Sequence, residues 1–165
     1  MAAEAVTPAD LIAELRRRGV DLAVAESLTG GALSSALVDV PGASAVFRGG
    51  VVSYATELKH RLLGVDARVL EARGPVDPGV AVQMARGAAS RLAADERSTL
   101  GLATTGVAGP EPQGGAAVGT VFVAAVLGGD ELVREHRFAG DRAAIRSASV
   151  VAALAVGAEM LARRA

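Results

Sequence analysis

The chain has 165 residues, a net charge of −1 and a hydrophobic share of 51% that is mostly Ala, Val and Leu. This length favours a single domain over residues 1–165, with a core of small aliphatic side chains. The absence of cysteine excludes disulfides, thiolate metal sites and cysteine nucleophiles. The near-neutral charge argues against a nucleic acid or an anionic membrane as partner.

The N-terminal half predicts helices and strands in alternation. Thr7 followed by Pro8 is typical of a helix start, and Gly19 is typical of its end. The apolar run that follows predicts a strand at about residues 21–25, and a helix is expected from Ala32 to about Val38. Three further elements are expected: a buried strand over 47–54 with a bulge or close backbone approach at its paired glycines, a helix over 55–63, and a helical turn or two over 66–72.

The C-terminal half predicts a helix, three strands and a final helix. Residues 106–117 are rich in glycine and proline and are expected to form a loop. The final helix, capped by Asp141, contains an apolar stretch at 148–162 that is short for a membrane span and includes Glu159, so we expect it to be buried. The other elements are a helix over 79–93, a strand over 99–103, and a hairpin of strands 120–127 and 131–138. Strands separated by helices, with a late antiparallel hairpin, predict a three-layer α/β/α fold with a mixed, mostly parallel sheet of about five strands.

The motif AESLTGG at residues 25–31 lies where the first predicted strand gives way to a helix. It combines two hydroxyls, Ser27 and Thr29, with Gly30 and Gly31. A strand-to-helix turn presents free N–H groups, and the glycines allow a substrate to approach closely. A hydroxyl there could attack an electrophile or bind an anion, but either hydroxyl could equally be a helix N-cap.

Tyr54 and Lys59 are the only tyrosine and the only lysine of the chain. A chain that otherwise uses arginine could retain one lysine because a desolvated lysine can lose its proton and act as a general base. The alternative is a solvated helix residue in a protein that simply favours arginine.

Two further regions carry polar groups suited to a ligand. Thr105 and the N–H of Gly106 follow a buried strand, where α/β sheets bind ligands, although a simple turn is the alternative. Arg142 and Arg146 are four residues apart near the start of the last helix, a spacing that suits a phosphate. A solvated helix face is the other interpretation of that pair.

Together these regions make the chain resemble the CinA C-terminal domain, the nicotinamide-nucleotide amidohydrolase family. The resemblance covers nearly the whole chain, apart from the loop at 110–117, whose sequence departs from the usual short glycine-rich run. The matching stretches are AESLTGG at 25–31, VPGAS at 40–44, GGVVSY at 49–54 with Lys59 and LGV at 63–65, TGVAGP at 105–110, VGTV at 118–121, and GDR at 140–142 with Arg146.

The resemblance implies hydrolysis of the carboxamide of nicotinamide mononucleotide, giving nicotinate mononucleotide and ammonia, by a stand-alone form of the domain. It implies Ser27 as nucleophile, Lys59 as its base and Tyr54 as proton relay or oxyanion donor. Glu26 would orient Lys59 or cap the motif. The expected substrate-binding residues are Thr29, Gly30, Gly31, Thr105, Gly106, Arg142 and Arg146, with N–H groups around Gly30, Gly31 or Gly106 as oxyanion donors and the two arginines on the 5′-phosphate.

We therefore expect a cytoplasmic enzyme without cofactor or metal, whose partner is a small nucleotide rather than nucleic acid or membrane; whether it forms a homo-oligomer is open. A non-catalytic, regulatory pyridine-nucleotide-binding module is the main rival. A role as a competence or DNA-repair accessory fits poorly with the charge.

Overall fold

A five-stranded mixed sheet forms the centre of the computed structural model, which describes residues 5–94 and 97–164. The strand order is β2-β1-β3-β4-β5; β1 runs parallel to β2 and β3, and β4 runs antiparallel to β3 and β5. The strands are β1 (Asp21–Glu26), β2 (Phe47–Val52), β3 (Thr99–Gly106), β4 (Thr120–Leu127) and β5 (Asp130–Arg137).

Helices cover both faces of the sheet, which confirms the predicted three-layer α/β/α fold. One core is shared by α1, α2 and α6 with one sheet face, and the other lies beneath α3, α4 and α5. The helices are α1 (Pro8–Arg18), α2 (Ala32–Val38), α3 (Thr56–Leu63), α4 (Ala67–Arg73), α5 (Pro78–Arg91) and α6 (Arg142–Ala162), with a 3-10 turn at Ala43–Ala45.

Two predicted strands differ from the observed ones. The third strand does not end at residue 103 but continues to Gly106, because residues 104–106 pair with 121–123 of β4. The predicted buried strand at 47–54 is shorter and lies at the sheet edge, where its side chains are alternately half-buried and exposed. Thr105, the first residue of the TGVAGP motif, therefore belongs to a buried central strand, whereas the segment before Tyr54 is peripheral.

Small residues allow the backbones of neighbouring elements to touch. A Cβ added to Gly87 in α5 would lie 2.0 Å from the Leu63 carbonyl oxygen of α3, and one added to Gly101 in β3 would lie 2.0 Å from the Ala85 carbonyl oxygen. In β2 a Cβ on Gly50 would clash with Ser34, and the register shifts beside Gly49, in agreement with the predicted close approach and bulge. The Gly87 contact places α3 tightly against α5.

The last helix is long and apolar enough, by length and composition alone, to cross a membrane. Half of its most apolar window is nevertheless buried within the fold, against β3, β4, α1 and α2. The prediction that the apolar stretch at 148–162 packs in the core is thus confirmed, and α6 is the core helix of one layer.

Candidate active site

The side chains of Ser27 and Lys59 meet at the carboxyl end of the parallel strands. Ser27 directly follows β1, and Lys59 lies on α3, just after edge strand β2. The Lys59 Nζ donates to Ser27 Oγ at 2.9 Å and to the Ser53 carbonyl oxygen at 2.7 Å. Lys59 is 1% exposed, which is rare for a lysine without a carboxylate partner.

Burial changes the acid–base behaviour of this lysine. Desolvation lowers the pKa of Lys59 from 10.5 to about 8, against a smaller opposing effect of the Glu57 carboxylate. About a tenth of the molecules then carry a neutral amine at pH 7. A neutral amine within hydrogen-bonding distance of a serine hydroxyl can accept its proton.

Glu26 caps helix α2. Its buried carboxylate accepts hydrogen bonds from the N–H groups of Gly31, Leu33 and Ser34 and from the Ser34 hydroxyl, at 2.6 to 3.2 Å. No contact with Lys59 is found among the residues that the structure describes. Of the two roles predicted for Glu26, the structure therefore shows the capping role.

The turn after β1 uses most of its own N–H groups. Gly30 donates to the Ser27 carbonyl oxygen at 3.1 Å, Gly31 donates to Glu26, and Ser27 donates to the Thr104 carbonyl oxygen. The Gly30 and Gly31 donors predicted for an oxyanion are thus already engaged. Within residues 5–94 and 97–164, the N–H groups of Leu28 and Thr29 have no acceptor, and of these two residues only Leu28 lines the same cavity as Ser27.

The two predicted threonines have different surroundings. Thr29 is fully buried and shares a 2.8 Å hydrogen bond with the Thr104 hydroxyl, so it anchors the turn to β3 and does not line the cavity. Thr105 lines the cavity beside Gly106, and its hydroxyl donates to the Pro75 carbonyl oxygen at 2.6 Å.

A cavity of about 250 Å³ lies over the Ser27–Lys59 pair. Tyr54, which is 59% exposed, and Arg142 lie on its open side. The Arg142 guanidinium donates to the Tyr54 hydroxyl and to the Gly109 carbonyl oxygen, both at 2.7 Å. Tyr54 is thus placed by an arginine in the cavity wall.

The second arginine of the predicted phosphate pair is elsewhere. Arg146 does not line the cavity, and its Nε and Nη2 donate to the carbonyl oxygens of Leu28 and Thr29 at 2.9 and 2.8 Å. The structure therefore separates the pair: Arg142 faces the cavity, and Arg146 holds the turn that carries Ser27.

Several cavity groups were not predicted from the sequence. Pro75 and Val76 fall between the predicted helices at 66–72 and 79–93, and Glu111 and Gln113 belong to the atypical loop. The carbonyl of Ser53, which holds Lys59, is a main-chain group that no side-chain pattern reveals. No cluster of three or more metal-ligating side chains occurs in the parts of the chain that the structure describes.

Comparisons with known proteins identify relatives of this chain. The family model of the CinA C-terminal domain matches residues 5–161. A CinA-like protein of Frankia casuarinae is 52% identical over 90% of this chain and 33% of that protein, and one of Geobacter sulfurreducens is 46% identical over 84% of this chain and 33% of that protein. The chain thus spans about a third of the length of these curated relatives.

Solved structures of similar proteins superpose on this chain over nearly its whole length. A CinA superfamily protein from Klebsiella pneumoniae superposes with a TM-score of 0.88 at 32% identity, covering 94% of this chain and 96% of that chain. A competence/damage inducible protein from Agrobacterium tumefaciens gives a TM-score of 0.84 at 35% identity, covering 94% and 92%.

Proposed function

Because the chain belongs to the CinA C-terminal domain family, we propose that it hydrolyses the carboxamide of nicotinamide mononucleotide with a serine–lysine pair. The observation that carries the proposal is the 2.9 Å contact between the buried Lys59 Nζ and Ser27 Oγ, within a cavity that Arg142 also lines. Nicotinate mononucleotide and ammonia are the products. The small nucleotide is the proposed partner, and the cytoplasm is the proposed location.

Acylation begins when neutral Lys59 takes the hydroxyl proton of Ser27. The Ser27 oxygen attacks the carboxamide carbon, and the C=O electrons become an oxyanion next to the Leu28 N–H. Collapse of this intermediate breaks the C–N bond, and Lys59 returns its proton to the leaving nitrogen, so that ammonia departs. One aligned oxyanion donor is worth roughly 3 kcal/mol in such a step.

Deacylation repeats these steps with water as the nucleophile. Lys59 takes a proton from the water as its oxygen attacks the acyl carbon, and then returns the proton to Ser27 as the ester bond breaks. Tyr54 and Arg142 lie on the open side of the cavity, where we propose that they meet the nucleotide rather than the reacting carbon. Arg142 can bind the 5′-phosphate by charge-assisted hydrogen bonds.

The direct test measures ammonia released from nicotinamide mononucleotide by the parent protein and by Ser27→Ala. We expect turnover by the parent protein only. A non-catalytic nucleotide-binding module is the alternative, and it predicts saturable nucleotide binding by calorimetry with no ammonia from either protein.

A further inference from the structure

We propose that Arg146 is a positioning residue that fixes the turn carrying the nucleophile and thereby aims the Leu28 N–H group at the reacting carbonyl. This inference deepens the proposed function and rests on it. It assigns Arg146 a role different from the phosphate contact that its spacing from Arg142 predicts.

The hydrogen bonds of the turn define its shape. The Ser27 carbonyl oxygen accepts from the Gly30 N–H at 3.1 Å, and Gly30 has a φ of 58°. Ser27 to Gly30 therefore form a tight turn, and Leu28 and Thr29 are its two central residues. Arg146 binds the carbonyl oxygens of both central residues.

Planar trans peptides make these contacts directional. A peptide carbonyl and the N–H of the next residue point in opposite directions. The Ser27 carbonyl points toward the Gly30 N–H. The Leu28 N–H, in the same peptide group, therefore points away from Gly30. The guanidinium fixes the next two peptides of the same turn, which prevents the first peptide from rotating.

The Leu28 N–H is the donor best placed to gain from this restraint. It belongs to the residue that follows the nucleophile, it has no acceptor in the described parts of the chain, and its residue lines the cavity. Serine hydrolases of other folds use the N–H at the corresponding position as an oxyanion donor.

Other contacts in the described chain hold Thr29 and the helix that follows the turn, but not the Leu28 carbonyl group. Thr29 is attached to β3 through Thr104, and Glu26 caps the helix that follows. Only Arg146, in the described chain, binds the Leu28 carbonyl oxygen. It reaches this position from α6, 118 residues further along the chain.

The test compares Arg146→Ala with Arg18→Ala as a matched control. Arg18 is also a part-buried arginine that donates to a main-chain carbonyl oxygen, that of Leu161 at 2.7 Å, but it is not part of the site. We expect Arg146→Ala to lower kcat about tenfold or more, because misaligning an oxyanion donor affects the transition state, with little change in KM. Arg18→Ala should lower thermal stability while keeping the parental kcat.

Arg146→Ala should lower kcat by the same factor with nicotinamide mononucleotide and with nicotinamide riboside as substrate. A loss confined to KM for the phosphorylated substrate would overturn the inference in favour of phosphate binding, and a parental kcat would also overturn it. If the alanine variant does not fold, Arg146→Lys is measured instead. Its single ammonium cannot reproduce the contact of two guanidinium nitrogens with the two carbonyl oxygens. A reduced kcat with unchanged KM then supports the inference, and a parental kcat refutes it.

A second readout does not need the natural substrate. A fluorophosphonate forms a P–O bond with Ser27 and releases fluoride, while Lys59 takes the proton; intact-mass spectrometry measures the rate. Slower labelling of Arg146→Ala than of Arg18→Ala supports positioning, even if the parent releases no ammonia from the nucleotide and the proposed function fails. Equal labelling rates overturn the inference. A parent that neither turns over nor labels overturns both proposals.

Discussion

The buried ammonium of Lys59 should make folding stability depend on pH in a direction opposite to that of a paired lysine. Lowering its pKa from 10.5 to about 8 corresponds to about 3 kcal/mol, at about 1.4 kcal/mol for each pKa unit. Between these two values the folded chain has lost the lysine proton, whereas the unfolded chain still holds it. The unfolded state then binds more protons, so the free energy of unfolding rises with pH.

Lys59→Met isolates this contribution because methionine is similar in length and does not titrate. We expect the unfolding free energy of the parent to rise by about 2 to 3 kcal/mol relative to this variant between pH 7 and pH 10. The other ionisable groups are common to both proteins, so their contributions cancel in the difference.

Urea denaturation of both proteins at several pH values, followed by far-UV circular dichroism, measures this difference. A constant difference across the pH range would show that Lys59 titrates normally in the folded protein, and would refute its assignment as a base near neutral pH. A difference that falls as the pH rises would show that folding raises the pKa of Lys59, and it would refute the same assignment.

Four further results are expected from activity measurements. Ser27→Ala should abolish ammonia release while circular dichroism stays parental; near-normal turnover would point to another nucleophile. Lys59→Arg should be nearly as inactive as Lys59→Ala, because arginine keeps its charge but does not accept a proton; an active arginine variant would indicate a purely electrostatic role. The kcat/KM of the parent should fall about tenfold per pH unit below a pKa near 8 and be level above it, and a profile flat from pH 6 to 9 would contradict the neutral base. Arg142→Ala should raise KM for nicotinamide mononucleotide by about one to two decades, the loss of a charge-assisted hydrogen bond of roughly 1.5–3 kcal/mol, and should hardly affect the riboside; equal losses for both substrates would exclude a phosphate contact.

Local signals predicted most elements of the fold. Thr7 and Gly19 bound α1 as expected, because a capping box and a left-handed glycine act within a few residues. Ala32–Val38 and the hairpin were likewise predictable from short patterns. The extension of β3 to Gly106 was not, because it depends on pairing with β4 across a glycine-rich loop.

The site shows the same division between local and distant information. Tyr54 and Lys59 were predictable as candidates because each is the only residue of its type in the sequence, and both line the cavity with Ser27. Helical spacing placed Arg142 and Arg146 on one face but could not show their acceptors. The acceptors of Arg146 are main-chain oxygens in a turn that precedes it by more than a hundred residues, and main-chain groups leave no mark in a side-chain pattern. The roles assigned to these residues remain predictions.

The spread of the site along the chain has a consequence during synthesis. Ser27 meets its lysine 32 residues later, and its turn meets Arg146 118 residues later. A nascent chain that has left the ribosome only as far as β3 contains the serine and the lysine but not the helix that holds the turn. The serine should therefore reach its full reactivity only when the last helix docks, so that its hydroxyl reacts more slowly with other acyl donors while the protein is being made.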